Sequence, residues 1–105
     1  MSDESQILVP PSFIELFTTP GRTKPNAPRE EIAARYELCE DLASMLIDRA
    51  STTRWELGVT ETDVLERIRR GLLTGDAVVT PPEAQWVVRR LAELLGWDAL
   101  RDAPH

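Results

Sequence analysis

The distribution of proline and glycine constrains the fold of this chain more than any other feature of its sequence. Most of the 8 prolines and 5 glycines separate three stretches in which apolar residues recur at the 3.6-residue spacing of a helix. No run alternates apolar and polar residues in the way that a half-buried strand would. The sequence therefore predicts an all-α fold, a small helical bundle of three main helices plus a short docked N-terminal helix or arm.

The longest predicted helix runs from about residue 27 to residue 50, and residues 51–59 are predicted to form a connection. Its apolar arc covers more than half of the helix circumference, which is wider than one packing neighbour needs. We therefore predict that it is the central helix of the bundle. The flank formed by Leu38, Leu42 and Met45 is also a candidate surface for self-association, so a homodimer stays open.

Two shorter helices are predicted at residues 60–73 and 80–96 from their capping residues. Thr60 and Asp63 resemble a capping box, and Thr80 with Glu83 forms a complete one. Gly96 is a typical helix stop. Near the N-terminus, residues 12–17 have the pattern of one or two helical turns, which are too short to be stable without packing against another part of a protein.

These segments suggest a simple domain organisation. Residues 1–26 are predicted to form an extended arm, a short helix and a basic, proline-rich loop. Residues 27–97 would form the helical bundle core, and residues 98–105 a frayed tail. A chain of 105 residues is typical of one domain.

Charge and cysteine content restrict the classes of partner and the compartment. The net charge of -6 opposes binding to nucleic acid, because phosphate contacts dominate that affinity. The single cysteine, Cys39, cannot form an internal disulfide and falls on a predicted core face, as expected of a protein in a reducing compartment. The N-terminus lacks the pattern of a secretory signal, and no apolar run reaches the roughly 20 residues of a membrane span. We therefore predict a cytoplasmic protein with no membrane association.

Catalytic groups are sparse in this sequence. His105 is the only histidine and the last residue, where it cannot be held in the geometry that a general base needs. The sequence contains neither of the common glycine-rich phosphate-binding motifs. One histidine and one cysteine at remote positions do not make a metal site. The prediction is that the protein is not an enzyme, with no catalytic, cofactor-binding or metal-binding residues and no cofactor.

Two groups of residues are candidates for binding a partner. Trp86 is predicted to face away from the apolar stripe of its helix, beside Arg89 and Arg90, and tryptophan and arginine are enriched in interface hot spots. Arg22 and Lys24 lie in a loop without acidic residues, which could bind an acidic partner or RNA. Both groups also fit an ordinary surface.

The predicted function is that of a non-enzymatic, cytosolic protein–protein interaction module, an adaptor or small regulator. The alternative is a nucleic-acid-binding regulator, because residues 60–73 and 80–96 resemble a helix-turn-helix. In such proteins the N-terminal residues of the second helix contact bases. Here that end offers Glu83 and no cation, so nucleic acid is the less favoured partner. The basic residues that would contact nucleic acid in this alternative are Arg22, Lys24, Arg67, Arg70, Arg89 and Arg90.

Four stretches of the sequence resemble a family of small uncharacterised bacterial proteins whose members are often named "ATPase with chaperone activity". They are the residues VPPSFI at 9–14, AARYELCEDL at 33–42, WELGVT at 55–60 and WVVRRLAELLGW at 86–97. The resemblance would cover nearly the whole chain, although none of these motifs is a chemical signature. It implies an accessory protein associated with a chaperone rather than an ATPase, because the sequence lacks the motifs that ATP hydrolysis requires.

Overall fold

The computed structural model describes residues 8–97. A short helix, α1 (Pro11–Ile14), continues into a 3₁₀ turn (Glu15–Phe17), and a loop leads to α2 (Arg29–Met45). Three further helices follow: α3 (Ile47–Leu57), α4 (Glu61–Leu72) and α5 (Pro81–Leu95). The described residues contain no strand, only an isolated bridge between Thr18 and Pro25. The prediction of a small all-α bundle is confirmed.

The chain divides into two compact units, Met1–Leu38 and Cys39–His105. The first unit is organised by Phe13, which is completely buried. Its ring centroid lies 5.5 Å from that of Phe17 and 5.6 Å from that of Tyr36 on α2. These contacts give the short N-terminal helix the packing that its length requires. The bridge at Thr18 and Pro25 closes the following loop.

The prediction of one helix at residues 27–50 is wrong in two respects. The segment forms two helices, and helical structure continues beyond residue 50 to Leu57. The first helix begins at Arg29. At Leu46 the amide N–H is shared between the carbonyls of Leu42 and Ala43, at 3.1 and 3.2 Å, with φ −89° and ψ −2°. This tight turn separates α2 from α3. The helix then continues through the predicted connection to Leu57, where Gly58 ends it in the left-handed conformation.

The capping residues of α4 and α5 act as predicted. The Thr60 hydroxyl accepts a hydrogen bond from the Asp63 amide at 3.0 Å. At α5, the Glu83 amide donates to the Thr80 hydroxyl at 3.2 Å, and the Thr80 amide donates to Glu83 Oε1 at 2.9 Å. The capping box is therefore complete, and it holds the Glu83 side chain in a buried position.

In the second unit, α5 rather than the α2 segment has the widest buried arc. Its buried residues are Glu83, Ala84, Trp86, Val87, Val88, Leu91 and Ala92. It packs against α3 and α4, with Val64 and Ile68 buried on α4. Cys39 is completely buried, as its place in the apolar stripe predicted. The prediction that the helix beginning near residue 27 is the central one is therefore corrected for this unit.

None of the helices within residues 8–97 combines the length and the apolar character needed to cross a bilayer. The predicted tail at 98–105 and most of the predicted arm, residues 1–7, lie outside the described residues.

Candidate functional site

The prediction that Trp86 faces outward is wrong, because only 8% of this residue is exposed. After its first turn, the exposed residues of α5 are the polar stripe of Gln85, Arg89 and Glu93 together with Leu94. Trp86 borders this stripe on its buried side. The prediction took only the most apolar positions of this helix as its buried face. It therefore underestimated how much of the α5 surface is buried.

Arg90, the third member of the predicted Trp86 site, forms ion pairs with two carboxylates. Its guanidinium lies 2.9 Å from Glu40 Oε2 and 3.0 Å from Glu93 Oε1. The hydrogen bonds that Arg90 donates, first to Glu40 and then to Glu93, raise its pKa further above its ordinary range. Arg89 is exposed. The three residues therefore do not form one exposed patch, since one is buried and another neutralises neighbouring carboxylates.

The other predicted candidates lie in different environments. Arg22 and Lys24 are exposed in the loop of the first unit, where the backbone N–H of Arg22 donates to the Thr19 carbonyl at 3.0 Å. Leu38 and Leu42 are half-buried. Met45 differs from both, since 74% of it is exposed at the end of α2. Of the predicted apolar flank, only Met45 is thus available to a partner without rearrangement.

Met45 belongs to a set of exposed residues that follows one line along the end of α2 and all of α3. They recur with alternating spacings of four and three residues, the pattern of one helical face, and the turn at Leu46 falls between the second and the third of them. We call this set the exposed stripe, and its members are Asp41, Met45, Asp48, Thr52 and Trp55. All five are exposed, and Trp55 is the most exposed large apolar residue of α2 to α5, at 88%.

The exposed stripe is acidic. Within the described part of the chain, no ion pair joins Asp41 or Asp48 to a cation. The nearest arginine along the chain from Trp55 is Arg54, and it lies 3.7 Å from Glu61. The stripe therefore combines two large apolar side chains with two carboxylates that form no ion pair within the described residues, and exposed Arg49 follows Asp48 directly in the chain.

The helix that carries Trp55 is held in place from its other side. Ala50 is completely buried, and α3 packs against α4 and α5. Arg54 also lies over the ring of Trp97, 6.0 Å from its centroid, in a cation–π contact. Gly58 ends the helix immediately after Leu57, itself 54% exposed. Trp55 is thus presented on an anchored helix rather than on a loop.

Among residues 8–97, no group of three or more acidic, histidine or cysteine side chains is arranged to hold a metal ion. Comparisons with protein-family models, with curated proteins and with solved structures found no match to this chain. The resemblance to the chaperone-associated bacterial family therefore stays an expectation from the sequence.

Sequence reasoning missed Trp55 because residues 51–59 were assigned to a connection. Ser51, Thr52 and Thr53 have modest helix propensity, which weakens the sequence signal for a helix there. A stronger signal was available, since no proline or glycine occurs between Pro28 and Gly58. That absence, together with the regular spacing of the exposed stripe, would have predicted helix through Leu57.

Proposed function

We propose that this chain is a non-enzymatic protein–protein interaction module, an adaptor or small regulator of another cytosolic protein, and that it binds its partner through the exposed stripe. The observation that carries this proposal is the exposure of Trp55 on an anchored helix. A tryptophan that contributes nothing to the core leaves a large apolar surface in water. Exposed apolar surface rimmed by polar residues is typical of interaction sites.

The composition of the exposed stripe supports a protein partner. Tryptophan is the residue type most enriched in interface hot spots, and methionine adapts its shape to different partners. Met45 lies at the end of α2 and Trp55 near the end of α3, so the two apolar side chains belong to consecutive helices.

The charges favour a protein over nucleic acid. Of the six cations open to the nucleic-acid alternative, three are engaged by carboxylates: Arg67 by Asp63, Arg70 by Glu66, and Arg90 by Glu40 and Glu93. An ion-paired arginine has less attraction for phosphate than a free one. The net charge of -6 acts in the same direction.

The test is affinity capture from an extract of the cells that encode the chain, with wild type, Trp55→Ala and Leu94→Ala as baits. Leu94 is a partly exposed apolar residue on α5, outside the exposed stripe, and serves as the matched control. We expect wild type and Leu94→Ala to retain a stoichiometric partner that Trp55→Ala loses. Capture that is equal with all three baits would reject the exposed stripe as the binding surface. Identification of the partner also tests the chaperone association that the sequence resemblance implies.

A further inference from the structure

We infer that α3 opens as a separate unit while α4 and α5 stay folded, and that Arg54 is the side chain that holds α3 closed. Opening of one element at a lower free energy than the whole domain is common in proteins. The inference concerns the stability of α3 and does not depend on the proposed function. Its consequence for that function is direct, because opening removes Trp55 from a helical surface while the core of the second unit stays folded.

The burial of α3 is the first observation behind this inference. Ala50 is the buried residue among the 11 of this helix. Ile47 and Thr53 are half-buried, and the other residues are exposed. By contrast, α5 buries large apolar side chains along most of its length and packs against Val64 and Ile68 of α4. Because stabilisation follows the apolar area removed from water, α3 gains much less from docking than these two helices do.

The two ends of α3 allow it to separate from the helices on either side. At its start, no side chain caps the helix, and the amide N–H of Leu46 is shared between the carbonyls of Leu42 and Ala43. At its end, Gly58 takes the left-handed conformation, with φ 66°. An isolated helix shorter than about 12 residues is marginal in water. The undocking of α3 and the loss of its helical structure are therefore one event.

Arg54 connects α3 to the residues that flank it in the second unit. Its Nε lies 3.7 Å from Glu61 Oε2 at the start of α4, and its guanidinium lies 6.0 Å from the centroid of the Trp97 ring, just beyond α5. Glu61 Oε1 is buried without a hydrogen-bond partner. Within the described residues, Arg54 is the cation that pairs with this shielded carboxylate. Loss of Arg54 therefore leaves a poorly solvated charge without compensation.

Hydrogen exchange of the backbone amides, followed by NMR on the full chain, tests the inference. Amides of α3 exchange through local opening, whereas the central amides of α5 exchange only when the whole unit unfolds. We expect the α3 amides to be less protected than the central α5 amides by about tenfold or more. Equal protection of the two helices in wild type would overturn the inference.

Thr80→Ala shows whether α3 opens independently of α5. The Thr80 hydroxyl caps α5 by accepting a hydrogen bond from the Glu83 amide, and the variant leaves α3 unchanged. We expect it to lower the protection of the central α5 amides by about fivefold. The protection of the α3 amides should change by less than about 1.5-fold. An equal loss in both helices would show that α3 opens only in global unfolding, and would overturn the inference.

Arg54→Gln tests the side chain that holds α3 closed. It should lower the protection of the α3 amides by about threefold or more, because it removes both the ion pair and the cation–π contact. Arg49→Gln is the matched control, since Arg49 is exposed on the same helix and makes no ion pair within the described residues. An effect of Arg54→Gln no larger than that of Arg49→Gln would reject the role of Arg54. The proposed function is judged separately, by cellular capture with Trp55→Ala.

Discussion

The three tryptophans of this chain lie in three different environments, and the difference assigns them different roles. Trp86 is buried in α5, and Trp97 is half-buried beneath the guanidinium of Arg54. Both stabilise the second unit by removing apolar surface from water. Trp55 is 88% exposed and has no such role. Its side chain is the one for which a binding partner gives a physical explanation.

Arg90 stabilises the fold through its ion pair with Glu40, and the contribution of this pair to the free energy of unfolding can be measured. Its guanidinium joins α5 to Glu40 through two nitrogen atoms, Nε and Nη2, and both side chains are partly shielded from solvent. We expect Arg90→Gln to lower the free energy of unfolding by about 1 kcal/mol, the range of a well-oriented pair that is partly exposed. Urea denaturation of a double-mutant cycle with Glu40→Gln isolates the pair.

The control for that cycle is Arg89→Gln, since Arg89 is exposed on the same helix. It should change the free energy of unfolding by much less than Arg90→Gln does. A coupling energy of zero between Glu40 and Arg90 would contradict the structural role assigned to the pair.

Glu66 provides a pH-dependent test on the surface of α4. A hydrogen bond from Arg69, with further attraction from Arg69 and Arg70, holds the pKa of the Glu66 carboxyl below its ordinary value of 4.5. The folded state therefore favours the charged carboxylate. The resulting stabilisation is present above the ordinary pKa and is lost as the pH falls through the lowered one.

We expect an NMR titration to show that Arg69→Gln raises the pKa of Glu66 toward its ordinary value. The difference in melting temperature between wild type and this variant should be present at neutral pH and disappear in acid. A Glu66 pKa that is identical in the two proteins would show that the ion pair does not form in solution.

At the scale of whole elements, helix starts were predictable from the sequence and one helix break was not. Thr60 and Thr80 mark the starts of α4 and α5 because their hydroxyls accept hydrogen bonds from backbone amides three residues later. The break at Leu46 has no comparable signal. It contains neither proline nor glycine, and it depends on a shared hydrogen bond that only the packed structure specifies.

The capping box of α5 should make a larger contribution than an ordinary surface threonine. Thr80→Ala removes the acceptor for the Glu83 amide and also leaves the buried Glu83 side chain less constrained. We expect a loss of about 1 kcal/mol in the free energy of unfolding, measured by urea denaturation. Thr52→Ala, in the middle of exposed α3 surface, is the control and should change stability by less than half as much. Equal effects would contradict the capping assignment.

For the molecule as a whole, the sequence predicted the fold class, whereas it did not single out the surface that we propose for binding. Core positions follow a periodic pattern, so the spacing of apolar residues alone assigns Cys39, Val64 and Leu91 to the interior, where the structure places them. A binding surface has no such pattern, because its residues are selected by a partner that the chain does not contain. Composition cannot tell which tryptophan is exposed. The structure shows that Trp86 is buried and Trp55 is exposed.

The central claim is that Trp55 serves binding and not folding, and the stability of Trp55→Ala tests it most directly. We expect the free energy of unfolding, from urea denaturation monitored by circular dichroism, to stay within about 0.5 kcal/mol of wild type. Any change should be toward higher stability, because alanine favours a helix more than tryptophan does. A loss of about 3 kcal/mol or more, the usual cost of truncating a buried aromatic residue, would show that Trp55 packs in the folded protein and would contradict the account.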